Sequence, residues 1–155
     1  MFWILSVSFL AKTPKSDIII SEVKQDGESS VRVVGKINRD IYSVVSPHIK
    51  TDEVIITDER IAHIQKRHPN AFEQYAKYIQ KIIEEPDYIL EANKPNTAFV
   101  LKEFTENDKR FQLILRLAVE GEQPGHKNSI ITFLNVEEKR YRRYLRTKNI
   151  LYKSE

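Results

Sequence analysis

Hydrophobic and polar positions change period along this chain. Trp3, Leu5, Val7 and Phe9 are spaced by Ser6 and Ser8, the alternation of a strand with one buried face. Apolar runs over Asp17–Val23 and Val31–Val34 flank Gln25-Asp26-Gly27, and Asp-Gly between such runs predicts a hairpin. A short helix is expected from about Asn38 to Val45, stopped by Pro47. Val54-Ile55-Ile56 predicts a brief strand. Thr57-Asp58-Glu59 then supplies a cap and an acidic first turn for a helix over Asp58–Arg67, because Pro69 disfavours helical geometry at His68. Asn70 with Glu73 resembles another cap, and Phe72, Tyr75, Ala76, Ile79, Ile82 and Ile83 form an apolar stripe at helical spacing until Pro86.

From Tyr88 the period becomes two. Tyr88–Glu91, Thr97–Phe104, Phe111–Val119 and Ser129–Val136 read as four strands joined by short, turn-rich connections. A last helix is expected over Glu137–Thr147, with Ile150-Leu151-Tyr152 as an edge strand. The order predicts an α+β domain: N-terminal strands, a hairpin and helices, then a four-stranded antiparallel sheet and a C-terminal basic helix. At 155 residues the chain suits a single domain, with 1–34 as a strand-and-hairpin extension on a core of 35–153.

The absence of cysteine excludes a thiol nucleophile, thiolate metal sites and a disulfide framework, and favours a cytoplasmic location. The apolar opening is about half the roughly 20 residues that cross a bilayer and lacks a leading basic cluster, so no membrane partner is expected. A formal net charge of +3 says little when averaged. Locally it says more. Seven cations against Glu137 and Glu138 give +5 over residues 137–153, leaving −2 for the remainder. Tyr141, Tyr144 and Leu145 form an apolar seam, and Lys139, Arg142, Arg143 and Arg146, with Lys153 beyond them, are candidates for tracking phosphates. The plainer alternative is a solvated amphipathic helix.

Candidate chemistry begins on the helix after Thr57. Arg60, His63 and Arg67 share one face at i, i+3, i+7, which sets one imidazole among two guanidiniums: a proton acceptor beside anion-attracting charge. The alternative is a solvated basic face. His68, four residues past Ile64, is expected on the apolar side as a hydrogen-bonded structural histidine. A separation of five places His63 and His68 roughly 140° apart on a helix. With His48 and His126 isolated, no metal site and no cofactor are expected. No Gly-x-Ser-x-Gly elbow and no Gly-rich phosphate loop are present.

In the sheet, Phe111, Leu113, Leu115, Leu117 and Val119 define a buried face and leave Arg116 on the other. Lys102 shares its side with Val100 and Phe104 and is expected to reach the face of Arg116 or to lie at the edge of a cluster. For both cations the alternative is a structural salt bridge. Ser129 and Thr132 fall on opposite faces unless their strand is bulged.

The ordered set His63-Ile64-Gln65-Lys66-Arg67-His68-Pro69, Pro86-Asp87-Tyr88-Ile89, Thr97-Ala98-Phe99-Val100-Leu101-Lys102, the Leu-Arg strand, Asn128-Ser129-Ile130-Ile131-Thr132-Phe133 and Leu151-Tyr152-Lys153 resembles the phage-encoded nucleases of the barnase/EndoU/colicin/RelE-like superfamily, from about Gly35 to Lys153. The resemblance implies a metal-independent endoribonuclease of phage or mobile-element origin that cleaves RNA through its 2′-OH. It implies a catalytic His63 or His68, and together with the helix reading His63 is expected as base and His68 as acid or as the residue fixing the helix end. Arg116 and Lys102 would stabilise the phosphorane, the Asn-Ser-Ile-Ile-Thr strand would supply Ser129 or Thr132, with Thr132 orienting the phosphate or a catalytic histidine, and Tyr152 would be an alternate acid. Other readings are a non-catalytic module of degenerate nuclease fold, docking nucleic acid or a phage structural protein, and a role for the first strands in dimerisation or in holding an immunity or inhibitor protein. ADP-ribosyl transfer would need a nicotinamide-binding Glu, and Glu103 and Glu120 are poorly placed for it.

Overall fold

The computed structural model describes residues 21–23 and 30–155; the strand expected over Trp3–Phe9 and the Gln25-Asp26-Gly27 turn lie outside them. Among the described residues eight strands form one sheet: β1 (Ser21–Val23), β2 (Val31–Lys36), β3 (Glu53–Thr57), β4 (Tyr88–Glu91), β5 (Thr97–Phe104), β6 (Lys109–Arg116), β7 (Asn128–Asn135) and β8 (Ile150–Lys153). Their lateral order is β1-β2-β3-β7-β6-β5-β4-β8. Every neighbouring pair is antiparallel except β3 with β7, which run parallel over two residue pairs, Val54 with Asn128 and Ile55 with Ser129.

The architecture is mixed α+β, as expected, and the edge strand expected after the basic helix is β8, but the sheet is larger than four strands. Strands β4 to β7 are extended on one side by β3, β2 and β1 and on the other by β8. The physical reason is that alternation reports which face of a strand is buried and carries nothing about its lateral neighbour. A strand followed by helices can return beside a later strand in parallel, and β3 does so.

The helices are α1 (Arg39–Tyr42), α2 (Asp58–Arg67), α3 (Ala71–Tyr75), α4 (Ile79–Glu84), with a 3₁₀ turn over Ala76–Tyr78 between the last two, and α5 (Glu138–Thr147). The α2 boundaries are those the sequence predicts, and Thr57 Oγ1 accepts the Arg60 N–H at 3.1 Å. The Asn70 cap is corrected. Its φ of 66° is left-handed and its side chain makes no capping hydrogen bond, so Asn70 serves through its tolerance of that conformation after Pro69.

One face of the sheet packs on α1 to α4. Val54 and Ile56 of β3, Phe111, Leu113 and Leu115 of β6, and Ile130 and Phe133 of β7 meet Ile61, Ile64, Ile79, Ile82 and Ile83 there. Helix α4 lies close on β2: a Cβ on Gly35 would stand 2.9 Å from the Ile83 side chain. On the second face α5 inserts Tyr141, 1% exposed, among Leu90, Phe99, Leu101, Leu134 and Val136. Arg110 ties the same region, 2.9 Å from Glu103 and 3.7 Å from Glu138 at the start of α5. Among the described residues α5 covers part of the second face, and two cavities open on the rest of it.

Candidate active site

The site lies where the parallel pairing of β3 and β7 stops. Past Ile55 and Ser129 the two strands are no longer paired, the chain enters α2 after Thr57, and α2 packs beside β7. A bulge in β7 sits at the same place: Ile114 pairs with Thr132 but Leu115 with Ile130, so Ile131 is an extra residue. The bulge decides the question alternation left open. Ser129, opposite Arg116, and Thr132, opposite Ile114, share the second face, while Ile130 and Phe133 both stay in the core beneath.

A cavity of about 350 Å³ opens here, lined by His63, Ile64, Arg67 and His68 of α2 and its cap, Gln112 of β6, Thr132 and Leu134 of β7, and Arg140 of α5. His63 and Arg67 are exposed and His68 is half-buried. Neither imidazole hydrogen-bonds through its side chain to another described residue. The 140° separation expected for the two histidines does not hold, because the helix ends at Arg67. His68 has φ −137° and ψ 80°, its backbone N–H closing on Ile64 O at 2.8 Å, and outside helical geometry its ring lines the same cavity as that of His63. Arg60, on the predicted face, does not line it.

Arg116 and Ser129 line a second cavity on this face, of about 640 Å³, with Val33, Ile55, Leu117, Glu122, His126 and Lys127 among its walls. Arg116 lies two residues from Ile114, about 7 Å along the strand. Its guanidinium is already engaged, donating to Leu117 O and pairing with Glu122. That hydrogen bond, then the one from the Val119 N–H, holds the Glu122 carboxyl below its ordinary range. A carboxyl depressed in the folded state stabilises above its ordinary titration range, and the contribution is lost as pH falls through the folded value. The Val119 amide resonance should therefore titrate with Glu122 at a midpoint below the ordinary ~4.3; a midpoint at or above that value would count against the tie.

The second face does not receive Lys102. Register pairs it with Phe111, a core residue of the opposite face, so the expectation that it reaches the face of Arg116 is corrected. Its ammonium donates to Glu85 O at 2.6 Å, where α4 ends, and to Asp87 at 3.2 Å, with 12% of the side chain exposed. A cation on a carboxylate and a helix-end carbonyl is the structural salt bridge weighed above. Tyr152 also lies off the site. It pairs with Ile89 and packs on the helix-covered core, in a strand four places from β7, ~19 Å across the sheet. Lys153 shares that distant strand.

Of the α5 cations, Arg142 is tied to Glu103 at 3.4 Å and Glu138 at 3.7 Å, while Lys139, Arg143 and Arg146 are exposed. Gln112 and Arg140 were not singled out by the sequence. A glutamine in a strand of alternating hydrophobes carries one signal, a polar residue on a face otherwise apolar, and that is what placed Arg116.

Among the described residues no three His, Asp or Glu side chains converge as a metal-ligand set, and no helix is long and apolar enough to cross a membrane. Two imidazoles, a hydroxyl and two guanidiniums line one cavity, a set of groups able to exchange protons beside cations that attract an anion. The family follows from comparison. A model of the phage-Barnase-EndoU-ColicinE5/D-RelE like nuclease2 family matches residues 29–153, and the chain belongs to that family of nucleases. No curated protein and no solved structure matches the chain significantly.

Proposed function

We infer that the chain is an endoribonuclease that uses side chains alone. The observation that carries the reading is the shared cavity of His63, His68, Arg67 and Thr132. An imidazole takes the proton of a ribose 2′-OH. The 2′-oxygen bonds to the adjacent phosphorus, the bond from phosphorus to the 5′-oxygen breaks, and the second imidazole gives that oxygen a proton. The products are a 2′,3′-cyclic phosphate and a free 5′-OH. Arg67 and Arg140 stand where negative charge on the phosphoryl oxygens would be met. His63, the more exposed ring, is assigned as base, and His68, at the helix end, as acid. The exposed cations Lys139, Arg143 and Arg146 extend the positive surface for the RNA strand.

Incubation with RNA in EDTA, followed by end-group analysis, tests this. Fragments ending in 2′,3′-cyclic phosphate are expected, and a substrate with a 2′-deoxy sugar at the cleavage position should remain intact. Cleavage that appears only with added metal, or that proceeds on the deoxy substrate, would overturn the reading.

A further inference from the structure

The geometry points to Gln112 as a further catalytic residue, a neutral hydrogen-bond donor to the phosphate, held in that orientation by Tyr144 and Arg140 acting as positioning residues from α5. The inference rests on the cavity proposed above as the site of cleavage and names a group there that the acid–base scheme does not use.

Hydrogen-bond direction carries the argument. Arg140 Nε lies 2.7 Å from the Tyr144 hydroxyl. A guanidinium has no acceptor, so it donates and the tyrosine oxygen accepts. The hydroxyl proton is thereby directed elsewhere, and its partner is Gln112 Oε1 at 2.8 Å. An amide oxygen accepts, and with Oε1 taking the Tyr144 proton the NH₂ end of the glutamine is turned away from Tyr144. The Gln112 NH₂ group is what remains. It makes no hydrogen bond to another described residue, and Gln112, only 8% exposed, lines the cavity of His63, His68 and Thr132. An amide that has given its oxygen to the protein and kept two N–H groups for a cavity is suited to an anionic oxygen.

Tyr144 is packed from two sides. Tyr144 packs edge-on against Phe99 with ring centroids 5.0 Å apart, and the Arg140 guanidinium lies 5.6 Å from the Tyr144 ring centroid. Helix α5 is also fixed by buried Tyr141 and the Glu103–Arg142 pair. The basic C-terminal helix thus has two functions in one element: cations outward, and an orienting contact inward.

The test pairs kinetics with a binding measurement on the full chain. Gln112→Glu keeps an acceptor for Tyr144 and removes the NH₂; Gln112→Met removes it without adding charge. Both should lower kcat about a hundredfold with KM within about threefold, in variants whose melting curves remain cooperative. Tyr144→Phe leaves the amide free to turn, and kcat should fall about tenfold with KM unchanged. Separately, inorganic phosphate added to ¹⁵N-labelled wild-type protein should shift the Gln112 side-chain NH₂ resonances. Wild-type kcat in both Gln112 variants would overturn the proposal. If the wild type cleaves no RNA, the nuclease mechanism fails and the resonances alone decide: a phosphate-dependent shift sustains Gln112 as an anion donor, and an unmoved pair of signals sinks it.

Discussion

His63→Ala is expected to slow RNA cleavage by about 10³-fold while leaving the protein folded, and His68→Ala to slow it by at least about 10²-fold. His63 is exposed and makes no side-chain hydrogen bond to a described residue, so its removal should change stability by no more than about 0.5 kcal/mol. His68 is half-buried at the end of α2, and its removal should cost about 1 kcal/mol. The rates separate chemistry from folding because the two residues share a cavity yet differ in burial. Their roles separate too. A substrate with sulfur in place of the bridging 5′-oxygen has a leaving group that needs little protonation, so it should restore much of the rate to His68→Ala and little to His63→Ala. Single-turnover rates on both substrates, with thermal melts, check this. Removing both rings should cost less than the product of the single losses, since acid and base act in one step. If both single variants, shown folded by circular dichroism, cleave at the wild-type rate, the two imidazoles are not the catalytic pair.

Why both histidines face one cavity was only half legible in the sequence. The start of α2 was written in Thr57-Asp58-Glu59 and its end in Pro69, and the structure has the helix over Asp58–Arg67. But the wheel that separates His63 from His68 assumes that His68 is helical, whereas the proline that ends the helix also removes it from the wheel. The same limit applies to the sheet. Alternation gave the core face of β6, yet the bulge at Ile131 that sets Ser129 and Thr132 on one face is a property of the pair, visible only when Leu115 is found opposite Ile130. Lys102 illustrates the opposite error. Its place beside Val100 and Phe104 was a signal for the helix-covered face, and its partners Asp87 and Glu85 O lie there. Gln112 could not be valued from sequence, because the contact that orients it spans 32 residues, from β6 to Tyr144.

The largest effect on stability should come from Asn128, the first residue of β7. It is 0% exposed. Its Nδ2 donates to Thr51 O at 2.8 Å and to Glu53 O at 3.0 Å, and its Oδ1 accepts the Ala118 N–H at 2.8 Å. Three backbone groups from two separate segments therefore depend on one amide, at the point where β3 and β7 make their short parallel contact. Asn128→Leu fills the space but leaves two carbonyls and one N–H without partners. At about 1–3 kcal/mol for each buried group left unsatisfied, partly relieved by movement or water, the loss should be about 4 kcal/mol. That is a large share of the roughly 5–15 kcal/mol that holds a domain together. Asn128→Asp keeps an acceptor for Ala118 but turns an anionic oxygen toward two carbonyls, so it should be comparably destabilising near neutral pH. Its deficit should narrow as pH falls, because protonation restores one donor. Urea unfolding at pH 7 and pH 5, with the slopes compared, measures both. A loss below about 1 kcal/mol in Asn128→Leu would mean that the junction is held by the sheet alone. Function should follow stability here by a definite route. The Ala118 N–H anchors the segment that carries Glu122, the partner of Arg116, and β3 delivers α2 to its place beside β7. Loosening Asn128 should therefore disturb the Arg116 cavity and the spacing of His63 from Thr132 together, and variants that still fold should show a lower kcat although Asn128 touches neither imidazole.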